Sequence, residues 1–122
     1  AFLVQVSQQD GVQSTLSGLQ YKVIKAGSGN SPESTDKVTV HYRGTLMNGV
    51  EFDSSYSRGK PASFTLNGVI PGWTEGLQLM QEGAVYEFYI HPDLAYGARG
   101  AGQTIGANSA LVFKVELLKV GD

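Results

Sequence analysis

One segment of this 122-residue chain has a helical pattern, and the rest reads mainly as strands that must cover it. Within residues 69–80, Trp73, Leu77 and Met80 recur at the spacing that places them on one face of a helix. Pro71 precedes this stripe, so we expect the helix to begin at or just before Trp73. A helix of about two turns is marginal in isolation, and a surrounding sheet would stabilise it by packing. The Trp73 ring is then either a core side chain or the floor of a pocket, and the pattern favours neither.

Six further segments alternate apolar and polar residues or are rich in β-branched and aromatic residues, which is typical of strands. In the second of them, Val38, Val40 and Tyr42 share one face. Asn48 and Gly49 follow, and this dipeptide is the strongest short signal for a hairpin turn. The predicted class is therefore α+β, with an antiparallel sheet and one short α-helix. The predicted strands are residues 19–25, 38–46, 50–53, 62–66, 84–90 and 111–118.

Two connecting segments differ in character. Residues 54–60 are polar and are predicted to form a loop. Residues 91–110 show no regular pattern between the last two strands, and loops of this length in a compact domain are usually functional or disordered. Because Leu94, Tyr96 and Ile105 stand among its glycines, we interpret this segment as a binding loop.

The N-terminal residues read differently from the strands. Residues 1–10 resemble the last turns of a helix with Gly11 as its C-terminal cap, and a frayed tail explains the same residues equally well. We therefore divide the chain into an N-terminal linker helix and connector, residues 1–18, and a main domain, residues 19–122. No secretory signal peptide is recognisable, so we expect a mature chain or an excised domain.

Charge and composition exclude several classes of protein. The net charge is −2 and the basic residues do not cluster, which argues against a nucleic-acid partner. No apolar run is long enough to cross a membrane as a helix. The chain has no cysteine, which excludes disulfides, thiolate nucleophiles and cysteine-based zinc sites. The absence of cysteine says little about the cellular compartment.

Familiar catalytic motifs are missing from the sequence. His41 and His91 do not have the spacing of a metal-binding pair, and we predict neither a metal nor a cofactor. His41 is expected to be a solvated side chain, because it lies on the polar face of its strand. A set of aromatic residues with two nearby charges remains, which is typical of a small-ligand pocket. The set comprises Tyr42, Phe52, Phe64, Trp73, Tyr96 and Phe113, with Asp53 and Arg58 as the charges.

Six motifs stand in a fixed order along the chain. They are Val40-His41-Tyr42-Arg43-Gly44, Phe52-Asp53-Ser54-Ser55, Arg58-Gly59-Lys60-Pro61, Val69-Ile70-Pro71-Gly72-Trp73, Leu94-Ala95-Tyr96-Gly97 and Leu111-Val112-Phe113. Together they resemble the FK506-binding-protein (FKBP) family of peptidyl-prolyl cis-trans isomerases, over a match from about Leu19 to Val120. Residues 17–21 and 73–80 are more similar to the bacterial macrophage infectivity potentiator branch of that family.

The resemblance implies a curved antiparallel sheet wrapped around the short helix, with a pocket between them floored by the single tryptophan. It implies that the N–H of Ile70 and the hydroxyl of Tyr96 bind carbonyl groups of the substrate. Asp53, held by Tyr42 and Arg58, would face the prolyl amide. The implied catalytic residues are Asp53, Tyr96 and Ile70, and the implied substrate-binding residues are Tyr42, Phe52, Arg58, Phe64, Val69, Trp73, Ile105 and Phe113.

Three positions depart from the usual pattern of the family. Ala62 stands where a large aromatic residue is frequent, and Ala101 and Thr104 stand where bulkier residues close the loop side. We therefore expect a more open pocket rim and weaker binding of tacrolimus and rapamycin than in the eukaryotic members.

The function implied by the resemblance is isomerisation of X-Pro bonds in proline-containing polypeptides, which assists protein folding. The alternative is a non-catalytic chaperone or macrolide-binding module that uses the same pocket. The branch joins this domain through a long helix to an N-terminal dimerisation region, so we expect the full-length protein to be a homodimer. The implied location is the bacterial periplasm or outer-membrane surface, with the cytoplasm as the alternative.

Overall fold

The computed structural model describes residues 11–15, 17–46, 49–95 and 110–121 of the chain. Over these ranges the backbone forms seven β-strands, two α-helices and two short 3-10 helices. No helix in this part of the chain is long and apolar enough to cross a membrane. The elements are β1 (Val12–Ser14), β2 (Gln20–Lys25), β3 (Lys37–Leu46), β4 (Glu51–Ser54), α1 (Ser55–Arg58), β5 (Ala62–Thr65), a 3-10 helix (Leu66–Gly68), α2 (Pro71–Leu77), β6 (Val85–Ile90), a 3-10 helix (Pro92–Leu94) and β7 (Leu111–Val120).

All seven strands belong to a single antiparallel sheet, which confirms the predicted α+β class. The strand order is β1-β2-β6-β7-β3-β4, and β5 also pairs with β3. Strand β7 takes one edge of β3 along residues 38–46. The other edge is shared, because β5 pairs with residues 37–40 and β4 pairs with residues 43–45.

Strand β3 alternates as the sequence predicted. Val38 and Val40 are fully buried and Tyr42 is 5% exposed, so this face of the strand lies in the core. The turn to β4 is also the predicted hairpin: the Leu46 N–H donates to the Val50 carbonyl at 2.9 Å. Gly49 has a φ of +88°, in the left-handed region that glycine adopts without steric cost.

Helix α2 begins at Pro71, two residues before Trp73, because proline suits the first turn of a helix. Trp73 and Leu77 are buried in the core cluster. Met80 lies just beyond the end of the helix and is fully buried as well. The predicted apolar stripe therefore does face the core.

Two glycines one turn apart bring α2 against strand β6. A Cβ at Gly76 would lie 2.6 Å from Phe88 Cε1, and a Cβ at Gly72 would lie 2.8 Å from Ile90 Cγ2. Real Cβ atoms do not approach so closely, so the helix can occupy this position only because both residues lack a side chain. The close approach places Trp73, between the two glycines, over the sheet.

Helix α1 occupies part of the segment that was predicted to be a loop, and that prediction is wrong for residues 55–58. The Ser54 hydroxyl caps this single turn by accepting a hydrogen bond from the Ser57 N–H at 3.3 Å. Gly59 ends it with a φ of +76°. One turn is too short to show a helical period in the sequence, which is why the pattern did not reveal it.

Strand β1 lies within residues 1–18, the predicted connector, and pairs antiparallel with β2, with Val12 opposite Lys22. Gly11, the predicted helix cap, has a φ of +84°. The helix expected over residues 1–10 lies outside the described residues. The division of the chain after residue 18 therefore stays a prediction.

Candidate functional site

A cavity of about 440 Å³ lies between helix α2 and the sheet. Strands β3, β4, β5 and β7 and the residues leading into α2 all contribute to its walls. This volume is within the usual range for small-ligand pockets. The lining residues are Tyr42, Phe52, Asp53, Phe64, Gly68, Val69, Ile70, Trp73 and Phe113.

Trp73 is both a core side chain and a wall of the cavity, so the two interpretations of its ring are compatible. It is 4% exposed and is packed edge-on by three rings. The centroids of Tyr42, Phe64 and Phe113 lie 5.1, 5.6 and 5.2 Å from that of Trp73, at nearly perpendicular interplanar angles. Among the described residues no acceptor bonds Trp73 Nε1. Within the described part of the chain, Trp73 therefore contributes to the cavity through its flat ring.

Gly44 of β3 makes room for two further aromatic walls. A Cβ at this position would lie 2.7 Å from both Phe113 Cε1 and Phe52 Cζ. These two rings meet edge to face with their centroids 5.4 Å apart. The absence of a side chain at Gly44 thus lets rings from β4 and β7 close over β3.

The polar edge of the cavity is a network of three side chains. The Tyr42 hydroxyl donates to Asp53 Oδ2. Arg58 donates from Nη1 to Asp53 Oδ1 at 2.6 Å and from Nη2 to the Tyr42 hydroxyl oxygen at 3.0 Å. The structure therefore places Asp53 between Tyr42 and Arg58, which is the arrangement expected from the resemblance.

The network shifts the pKa values of Tyr42 and Asp53 in opposite directions. Burial raises the pKa of Tyr42, and the hydrogen bond to Asp53 raises it further, while Arg58 acts in the opposite direction. Burial alone would raise the pKa of Asp53, but the hydrogen bonds from Tyr42 and Arg58 outweigh it and hold that pKa below its ordinary value. At neutral pH the cavity edge therefore carries a phenol and a carboxylate.

Ile70 lines the cavity at the start of helix α2. It is the N-cap residue of α2, and its carbonyl accepts hydrogen bonds from the N–H groups of Trp73 and Thr74 at 3.0 and 3.1 Å. The N–H of an N-cap residue has no partner within its helix, and Pro71 at the next position carries no N–H. That the Ile70 N–H binds a carbonyl group of the substrate stays a prediction.

The structure brings eight of the predicted site residues to one cavity: Tyr42, Phe52, Asp53, Phe64, Val69, Ile70, Trp73 and Phe113. Arg58 joins them through its bonds to Asp53 and Tyr42. Ala62 is half-buried on β5, opposite Val40. Tyr96, Ile105, Ala101 and Thr104 lie outside the described residues. The roles of all these side chains toward a ligand stay predictions.

His41 is not the solvated side chain that its strand pattern suggested. Its ring stacks on Tyr56, with centroids 4.7 Å apart, and its Nδ1 lies 2.8 Å from Ser55 Oγ. Ser55 itself is fully buried beneath the main chain of Tyr42. Neither contact could be read from alternation, since both join β3 to the unpredicted helix α1.

The described residues contain no group of three or more His, Cys, Asp or Glu side chains arranged to hold a metal ion. That the site works without a metal or a cofactor stays a prediction.

The sequence profile of the family described as "FKBP-type peptidyl-prolyl cis-trans isomerase" matches residues 28–118. "Peptidyl-prolyl cis-trans isomerase Mip" of Coxiella burnetii is 53% identical over 120 residues, which are 98% of this chain and 52% of that protein. "Outer membrane protein MIP" of Legionella longbeachae is 50% identical over 120 residues, with the same two shares. The crystal structure of FkpA from Escherichia coli aligns with a TM-score of 0.95 at 48% identity, over 98% of this chain and 56% of that one. The chain thus spans about half the length of the curated relatives it matches.

Proposed function

The chain belongs to the FKBP-type peptidyl-prolyl cis-trans isomerase family, and we propose that its cavity accelerates cis–trans isomerisation of X-Pro bonds in polypeptides. One observation carries the proposal: an aromatic cavity floored by Trp73 has the Asp53 carboxylate fixed at its edge. Its volume of about 440 Å³ suits a proline ring with its neighbouring amides.

The chemistry of the substrate fits such a cavity. Isomerisation rotates the X-Pro bond without making or breaking a covalent bond, against a resonance barrier of about 18–20 kcal/mol. The planar amide is more polar than the twisted amide, in which resonance is lost. An apolar cavity that excludes water therefore binds the twisted amide better than the planar one, and this difference lowers the barrier.

We assign roles within the cavity by position. The proline ring lies on Trp73, and the Ile70 N–H donates to a carbonyl of the substrate, which holds the chain while the amide rotates. Asp53 faces the prolyl amide and is kept ionised and oriented by Tyr42 and its arginine partner. The Tyr96 hydroxyl, predicted to bind a second carbonyl, lies outside the described residues and keeps that role as a prediction.

Exchange NMR on a Leu-Pro test peptide, without a coupled protease, tests the proposal. Uncatalysed isomerisation takes tens to hundreds of seconds, so catalysis appears as faster exchange between the cis and trans signals. Trp73→Leu should reduce the acceleration strongly. Phe88→Leu is the matched control, because Phe88 is a fully buried ring that is not part of the cavity wall. A parent protein that leaves the exchange rate unchanged refutes catalysis.

The same cavity supports the alternative, a non-catalytic chaperone or macrolide-binding module. Binding of tacrolimus or rapamycin, followed by calorimetry, would occupy the aromatic floor in place of proline. Ligand binding without accelerated exchange would favour this alternative over the isomerase.

We further propose a location in the bacterial cell envelope, at the periplasm or the outer-membrane surface. The relative named as an outer membrane protein supports this location. A dimer formed through an N-terminal region likewise stays a proposal from the resemblance, since the chain spans about half the length of those relatives. Cell fractionation and sedimentation of the full-length protein test the two proposals separately.

A further inference from the structure

The edge of strand β3 that faces away from β7 has a gap at Tyr42. Strand β5 pairs with residues 37–40 and β4 pairs with residues 43–45, so Tyr42 falls between the two pairings. Within the described strands its N–H and C=O groups on this edge have no neighbouring strand. Buried main-chain polar groups are almost always hydrogen-bonded, so another group must replace the missing strand.

Ser55, the first residue of α1, fills this gap with its side chain. The Tyr42 N–H donates to Ser55 Oγ at 2.7 Å, and the Ser55 hydroxyl donates to the Tyr42 carbonyl at 3.3 Å. Ser55 is 0% exposed, so water does not compete for these bonds. One hydroxyl group thus takes the place of a strand partner.

His41 contacts the same hydroxyl from the other side. Its Nδ1 lies 2.8 Å from Ser55 Oγ, and stacking on Tyr56 holds the imidazole ring in place. A serine hydroxyl has one proton and two lone pairs, and the Tyr42 N–H occupies one of these lone pairs. The His41 nitrogen and the Tyr42 carbonyl occupy the remaining hydrogen-bonding positions of the hydroxyl group. Its three partners together fix the orientation of the hydroxyl.

The two ends of α1 therefore hold Tyr42 at two points. Ser55 binds its main chain, and Arg58 donates to its phenol oxygen at 3.0 Å. The phenol in turn donates to Asp53 at the cavity edge. We propose that Ser55 is a positioning residue for the isomerase site: it fixes the main chain of Tyr42 so that the phenol meets the Asp53 carboxylate. This inference rests on the proposed function, because it concerns the orientation of a group assigned to face the substrate.

A pair of neighbouring serines provides a matched test. Ser55→Ala removes the bonds to Tyr42, whereas Ser54→Ala removes the cap of the same helix and leaves the main chain of Tyr42 bonded. Both serines are buried, at 0% and 4% exposure, so the two changes perturb packing to a similar degree. Ser55→Cys keeps the shape with weaker hydrogen bonds and replaces Ser55→Ala if circular dichroism shows that the alanine variant is unfolded.

Two quantities are measured for each variant: kcat/KM by exchange NMR, and the pKa of the Asp53 carboxyl by carbon-13 NMR. We expect Ser55→Ala to lower kcat/KM about tenfold and Ser54→Ala to stay within about twofold of the parent, since misplacement by about 1 Å can cost on the order of 100-fold. The pKa of Asp53 should rise in Ser55→Ala and to a smaller extent in Ser55→Cys, because the bond from Tyr42 that lowers it is loosened.

If the parent is active, equal kcat/KM in the Ser55 and Ser54 variants overturns the positioning role, and an equal Asp53 pKa in these variants overturns it whether or not the parent is active. An inactive parent in which the Ser55 variants still raise the Asp53 pKa would separate the two proposals. That result refutes the proposed isomerase function and supports the placement of Asp53 by Ser55 through Tyr42.

Discussion

Replacing Gly76 with alanine tests how closely helix α2 must approach the sheet. The added methyl group would lie 2.6 Å from Phe88 Cε1 and 2.9 Å from Cζ, well inside van der Waals contact. Phe88 is fully buried on β6, a strand flanked by β2 and β7, so its ring cannot move aside without displacing neighbours. Either the helix shifts away from β6 or the ring leaves its favoured rotamer.

Two opposing effects set the change in the free energy of unfolding that Gly76→Ala causes. Alanine in place of a glycine inside a helix stabilises the fold by about 0.5–1 kcal/mol, through the lower entropy of the unfolded chain. Overpacking a core costs about 1–3 kcal/mol. Because two ring atoms of Phe88 lie within 3 Å of the new methyl group, we expect the second effect to prevail by about 1–2 kcal/mol. In a domain of this size that corresponds to a fall in Tm of about 3–8 °C.

The change should also reach the cavity, because Gly76 lies three residues after Trp73 on the same short helix. A helix displaced from β6 carries the tryptophan ring with it, so kcat/KM should fall even at temperatures where the variant is fully folded. Urea unfolding followed by circular dichroism measures the free energy, and exchange NMR measures the activity. Gly68→Ala is the control for stability, since a Cβ there would meet no heavy atom within 4 Å in the described structure.

A double-mutant cycle identifies the cause. In a Phe88→Leu background the ring that meets the new methyl group is absent, so Gly76→Ala should cost less there than in the parent. A Gly76→Ala variant as stable as the parent would contradict a steric clash between the new methyl group and the Phe88 ring. An equal cost in both backgrounds would also refute it, because the contact with Phe88 would then not be the source.

Further predictions concern the cavity and its polar edge. Trp73→Leu should keep the fold and lower kcat/KM about tenfold or more by removing the flat floor; a loss within about twofold would make Trp73 an ordinary core residue. Tyr42→Phe should raise the pKa of Asp53 in a carbon-13 titration, and an unchanged pKa would contradict the hydrogen-bond network. Because the folded state lowers the pKa of Asp53, its contribution to stability is present above about pH 4 and is lost as the pH falls through the lowered value. Urea unfolding between about pH 2 and pH 6 should therefore show a smaller acid loss in Asp53→Asn than in the parent. The kcat/KM of isomerisation should be nearly level between about pH 6 and pH 8, since no proton is transferred, and a bell-shaped profile would exclude the mechanism.

Local sequence patterns predicted those features of the fold in which similar side chains repeat along a single strand or helix. The alternation of Val38 and Val40 predicted their buried face, and the stripe of Trp73 and Leu77 predicted the helix that packs on it. The turn at Gly49 followed from a dipeptide with a known conformational preference. Each of these signals depends on neighbours within a few positions, which a single sequence displays.

Contacts between elements could not be predicted in the same way. The rings of Phe52 and Phe113 meet over Gly44, and three different strands must be paired before that contact exists. The grouping of Asp53 with its partners came from the family resemblance and not from any periodicity. The bond from Tyr42 to the Ser55 hydroxyl depends on where β4 and β5 stop pairing with β3, which no local pattern encodes.

The pairing of β3 with β7 bears on how the protein forms as it is synthesised. Strand β3 lies in the first half of the chain, and its longest partner is the last strand described. Ribosomes add about 5–20 residues per second. The edge of β3 that pairs with β7 therefore stays unpaired for seconds while the intervening segments are synthesised. Pairings between such distant segments also slow folding. Phe113, a wall of the cavity, arrives on that same late strand. A nascent chain therefore has no finished cavity until β7 is in place, and during this interval a domain proposed to speed the folding of others is itself a candidate for chaperone binding.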